Sequence, residues 1–143
     1  MIIRSDRAKA KASAAKYRYR LQGWQDVKRR WLAGGRKCEC CGQVTDIVEV
    51  AHLVSRAGHI VDDHYASRAE LMVAVCCSRS MDVREGCHRK LDANQLPDEL
   101  DRLRWQGLVR LCVSEAIPIP SVAQYDALGA IREVCRVMTA RDV

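Results

Sequence analysis

The apolar positions of this chain change their spacing twice. In the first third, "RAKAKASAAKYRYRLQ" is built from strong helix formers that Ser5 or Asp6 can cap, and Gly23 marks a break before "WQDVKRRWLAGG". In that second stretch Trp24, Val27 and Trp31, with the stem of Lys28, follow helical spacing, and Gly34-Gly35 ends it.

The middle of the chain loses that period. "DIVEVAHLV" predicts a strand or hairpin arm, Ser55 to Glu70 is polar and charged, and "LMVAVCC" is a short apolar run suited to a buried strand or turn. "SRSMDVREG" predicts an exposed loop, and "CHRKLDANQL" can open a short helix. From Pro97 helical spacing returns, with Leu100, Leu103, Leu108, Leu111 and Cys112 behind a Pro-Asp-Glu start. "AIPIP" is a linker. After it, Ser121 and Gln124 form a capping box for a last helix with Val122, Tyr125, Leu128, Ile131, Cys135 and Met138 on its apolar side.

This order predicts an α+β chain in three parts: a basic helical arm over 1–35, a small module over 36–96, and a helical extension over 97–143. At 143 residues without any Phe, the chain has a lean core that a structural metal would support. No segment is apolar enough for a signal peptide or a membrane span, which predicts a cytoplasmic protein with no membrane partner, and in a reducing compartment eight cysteines point to metal ligands or buried thiols.

Charge changes the picture of the N-terminal part. Residues 1 to 37 carry a balance of +10, against −4 for the rest. A polyanion is the natural partner of such a segment, and Tyr17, Tyr19, Trp24 and Trp31 are interleaved for stacking on bases or packing inward. Arg18, Arg20, Lys28, Arg29, Arg30 and Lys37, with Arg89 and Lys90 further on, are the residues expected to meet phosphates.

The candidate chemistry lies in "RKCECCGQVTDIVEVAH". Cys38 and Cys41 have the two-residue gap that lets both thiolates face one tetrahedral metal, and Gly42 permits the tight turn. Cys87 with either Cys76 or Cys77 completes a four-thiolate zinc set. Nine or ten residues separate that pair, a long loop for a knuckle. Lengthening it costs only about 0.6 kcal/mol per doubling. Cys40 replaces neither neighbour without distorting the turn, and Cys112 and Cys135 sit on apolar helical faces as buried thiols. A thioredoxin-like pair is disfavoured because its strand-to-helix context is missing. There is no phosphate-cradling glycine loop, GxSxG elbow or HExxH helix.

Taken together, "WQDVKRRWL", "CECCG", "VEVAHLVSR", "LMVAVC" and "CHRK" resemble the HNH endonuclease family of the zinc-knuckle type found in bacteriophage and bacterial genomes, over roughly residues 20 to 94. The resemblance implies a ββα-metal core that hydrolyses DNA phosphodiester bonds. It implies that His52 is the general base activating water, and that His88 ligates a catalytic divalent ion, Mg²⁺ or Mn²⁺, distinct from the structural zinc. The residue before the base often ligates that ion in the family, but here it is Ala51. The replacement candidates are Asp92, four residues after His88 on one helical face, and His59, Asp62, Asp63 or His64. The family's middle Asn has Glu70 or Ser67 in its place. The resemblance also implies a phage DNA-processing or packaging protein as partner and a bacterial host cytoplasm. Two rivals stand beside it: a catalytically inactive, zinc-stabilised DNA-binding module, and a protein-interaction or regulatory factor whose C-terminal helices dock a partner or form a homodimer face.

Overall fold

A computed structural model describes residues 4–56, 60–76 and 86–142, with side chains from Arg18 onward. His59, Cys77 and the loop expected over "SRSMDVREG" lie outside the described residues or largely so.

The basic N-terminal part is one helix, α1 (Arg4–Ala33), with no break at Gly23. Gly23 is buried, and a Cβ there would stand 2.2 Å from the Ser67 carbonyl oxygen and 2.8 Å from the end of Met72. The glycine is there for close approach of α1 to the rest of the molecule. It does not interrupt the helix. Gly34 and Gly35 do terminate it, Gly35 at φ 83°.

Strands β1 (Val48–His52) and β2 (Met72–Cys76) pair antiparallel, with Val48 opposite Cys76 and His52 opposite Met72. Between them lie a single helical turn, α2 (Asp63–Ala66), and a 3-10 turn over Ala69–Leu71. Helix α3 (Cys87–Asp92) packs against both strands. Because side chains alternate along a strand, the sheet has two different faces. Val48, Val50, Met72 and Ala74 pack on Val27 and Trp31 of α1. Ala51, Val73 and Val75 join the larger core with Leu91 of α3.

That larger core is completed by the C-terminal helices. α4 (Pro97–Glu115) buries Leu103, Leu108, Leu111 and Cys112, and α5 (Ala127–Arg141) buries Ile131, Val134, Cys135 and Met138. Gly107 brings α4 close to the Glu70 carbonyl oxygen, 2.7 Å from where a Cβ would sit. Three arginines of α4 tie it to loop carbonyls: Arg102 to Cys40, Arg104 to Leu53 and Arg110 to Glu70. Residues 97 onward therefore share the core of the middle module. The last helix starts later than Ser121 and Gln124 suggest, because Asp126 is the cap and accepts from the Gly129 N–H at 2.7 Å. Ser121 instead organises a turn before it, leaving Val122 and Tyr125 exposed.

Candidate metal centre and the histidines beside it

Cys38 and Cys41 stand on the turn after α1, Cys76 ends β2, and Cys87 begins α3. Their four Sγ atoms lie within 4.8 Å of one another. A tetrahedral zinc with Zn–S bonds of about 2.3 Å requires sulfur–sulfur edges of ~3.8 Å, and Cys41 Sγ lies 3.9 Å from Cys76 Sγ. The donor set and spacing fit a structural metal such as zinc. Among the described residues Cys76 joins the cluster; Cys77, the other candidate on sequence, lies outside them.

The backbone is arranged around the sulfurs. Gly42, at φ 78°, lets its N–H donate to the Cys38 carbonyl oxygen, closing the knuckle. The N–H groups of Cys41 and Cys76 point at Cys38 Sγ from 3.5 and 3.3 Å. Burial alone raises the Cys38 thiol, but N–H donors from Cys41, Cys76 and Cys40 outweigh it and bring Cys38 below its ordinary value. Burial pushes Cys76 up to about 11 and also raises Cys87. Cys76 and Cys87 therefore resist ionising without a cation; a metal would supply the charge that lets them. Cys40 is buried beside the cluster, raised by burial and in hydrogen-bond range of Cys87. Cys112 and Cys135 are buried thiols of α4 and α5, as their apolar settings suggest, and burial takes Cys135 to about 12.

The knuckle is braced by α1. Arg30 donates to both Glu39 carboxylate oxygens at 2.8 and 3.0 Å and to the carbonyls of Ala69 and Met72 at 2.8 and 2.6 Å. Glu39 in turn accepts from the Ala74 N–H, fastening the turn to β2. Arg30, grouped with the phosphate-facing residues on sequence, has most of its guanidinium committed to this strut.

β1 carries two chemistries on its two faces. His52 shares the α1 face with Val50, in an open groove of about 400 Å³ lined by Arg20, Leu21, Trp24, Val50, His52, Arg56, Ser67 and Met72. Burial lowers the His52 pKa from 6.5, and the charges of Arg56, Arg20 and, more weakly, His88 lower it further against the opposing pull of Asp63. His52 is thus neutral at neutral pH. Trp24 is 39% exposed at the groove, with Lys28 Nζ 4.3 Å from its ring centre. Arg56 was not singled out by sequence; its proximity in chain to His52 was the available signal.

Glu49 shares the opposite face with Ala51. Its carboxylate meets His88 Nδ1, and His88 Nε2 lies 3.4 Å from Asp92 Oδ2 one turn along α3. Glu49 was also overlooked on sequence, although two-residue alternation places it on the side of Ala51. The other replacement ligands are elsewhere. Asp63 accepts from Arg20 at 2.6 Å, Tyr19 at 3.0 Å and Ser67 at 3.3 Å, Asp62 precedes α2 and is exposed, and the His64 ring lies against Tyr65. Glu70 pairs with Arg68, which also binds Glu115. Among the remaining basic candidates, Arg18, Lys37 and Arg89 are exposed, Lys90 is half-buried, and Arg29 is an exposed partner of Asp26.

Comparison with family models, curated proteins and solved structures returns no match to this chain. No helix among the described residues is long and apolar enough to cross a membrane.

Proposed function

We propose that this protein is a metal-dependent, HNH-like DNA endonuclease whose strand, strand and helix are held by a zinc-bound four-cysteine cluster. The observation that carries the reading is the setting of His52: a neutral imidazole at the end of a strand, in an open groove with Arg20, Arg56 and an exposed Trp24. A neutral imidazole can take the proton of an attacking water. Arg56 would meet the phosphate, while Arg20, already paired with Asp63, would contribute part of its charge. Trp24 offers a face on which a base can stack.

His88 and Asp92 would hold a divalent cation, which supplies charge to polarise the phosphate and stabilise the leaving oxygen. The exposed arginines of α1 would add phosphate contacts that carry no sequence information.

The test is cleavage of supercoiled plasmid by zinc-loaded protein with Mg²⁺, Mn²⁺ or EDTA, comparing the native chain with His52→Ala. Metal-dependent nicking lost in the variant is the expected result. Binding without nicking under every metal would transfer the reading to an inactive DNA-binding module, which the absence of a donor at Ala51 favours. Neither binding nor nicking would leave the interaction-factor reading, for which exposed Val113, Ile119 and Val122 are the available surface.

A further inference from the structure

The His88 ring is addressed from two sides by two different elements. Glu49 on β1 meets Nδ1, and Asp92 on α3 stands near Nε2. A histidine that ligates a metal through one nitrogen carries its proton on the other. A carboxylate accepting that proton's hydrogen bond fixes the tautomer, aims the ring and makes the ligating nitrogen more basic. Glu49 is placed to do this for Nε2.

The other side of the ring has the spacing of a ligand pair. At 3.4 Å, Nε2 and Asp92 Oδ2 are too far apart for a strong hydrogen bond. An octahedral Mg²⁺ or Mn²⁺ site with bonds of about 2.1 Å has adjacent ligands ~3 Å apart, a small side-chain adjustment away. Such cations keep several waters and take substrate phosphates as ligands, so two protein donors suffice. Asp92 is solvent-exposed and His88 half-buried, which leaves an approach for a hydrated ion.

We infer that Glu49 is a positioning residue: it holds His88 with the proton on Nδ1, so that Nε2 and the Asp92 carboxylate form a two-point site for a divalent cation. This rests on the assignment of the ion to His88 made above. It also accounts for Ala51. The strand contributes its negative charge from Glu49, two residues earlier on the same face, acting through His88 in place of direct ligation.

Mn²⁺ binding to the full zinc-loaded chain tests this, with free Mn²⁺ read by electron paramagnetic resonance and the His88 tautomer by imidazole ¹⁵N shifts in mildly alkaline buffer. The native chain is expected to bind one Mn²⁺ beyond its zinc and to show the Nδ1–H tautomer. Glu49→Gln and Glu49→Ala should each weaken Mn²⁺ at least about tenfold and mix the tautomers, and His88→Ala and Asp92→Asn should weaken it further. Zinc content and thermal midpoint serve as folding controls. If the Glu49 variants bind Mn²⁺ as the native chain does, if the native tautomer is Nε2–H, or if the native chain binds no Mn²⁺, the inference is overturned. Glu49-dependent Mn²⁺ binding in a protein that leaves plasmid intact would sink the nuclease reading and leave this one standing.

Discussion

At the scale of single residues, His52 shows how position sets chemistry. Its strand neighbour Glu49 faces α3, while His52 itself faces a groove where burial and two arginines oppose its protonation. Its titration midpoint should therefore fall below 6.5, and Arg56→Ala should raise it toward that value without reaching it, because burial, the larger cause, remains. Histidine side-chain NMR over a pH series checks this; an unchanged midpoint in the variant would remove Arg56 from the site. The linkage follows in sign. Between the lowered midpoint and 6.5 the unfolded chain binds more protons than the folded one, so His52's contribution to stability declines as pH falls through that window. The acid limb of any His52-dependent cleavage should lie below 6.5 for the same reason.

At the scale of elements, the cysteine cluster joins three pieces: the turn after α1, the end of β2 and the start of α3. Cys76→Ser should lose the metal and lower the thermal midpoint sharply, since binding of a structural zinc is itself folding free energy. Cys77→Ser and Cys40→Ser should keep one zinc per chain, because the tetrahedral set is already complete; zinc quantitation by mass spectrometry distinguishes the three. Most of these elements could be read from the chain. The strand-like "DIVEVAHLV" and the short apolar run "LMVAVCC" marked β1 and β2, the Cys-x2-Cys gap gave half the cluster, and helical spacing with Pro97 gave α4. What escaped depends on contacts between distant segments. Gly23 resembles a helix break until the Ser67 carbonyl is seen against it. Arg30 resembles a phosphate ligand until Glu39 and two carbonyls occupy it. The place of Cys76 in the cluster depends on β2 ending there, beside the knuckle. The late start of α5 reflects a competition between two capping signals, Ser121-x-x-Gln124 and Asp126, that sequence alone cannot rank.

At the scale of the molecule, the division at residue 96 suggested by the change of spacing does not divide the core. Ala51, Leu53, Leu71 and Val73 of the middle segment share one buried cluster with Leu103, Leu108, Leu111, Ile131, Val134 and Met138 of the last two helices. Burying each such Leu, Ile, Val or Met side chain stabilises by about 1.5–3 kcal/mol, as an upper estimate. Losing even four of them removes an amount comparable to the whole stability of a domain, about 5–15 kcal/mol. A fragment ending at residue 96 should therefore fail to show a cooperative thermal transition even with zinc supplied, since the metal fixes the knuckle, β2 and α3 but leaves the α4-facing side of the sheet uncovered. Calorimetry and amide dispersion in NMR read this directly. A fragment that folds cooperatively would make residues 97 onward an appendage after all. It would also free α4 and α5, with exposed Val113, Ile119 and Val122, to act as a separate docking element. If the fragment collapses without cooperativity, α4 belongs to the scaffold. Arg104 on Leu53 and Arg110 on Glu70 then join the cysteine cluster in fixing the distance between the groove at His52 and the helix that carries His88.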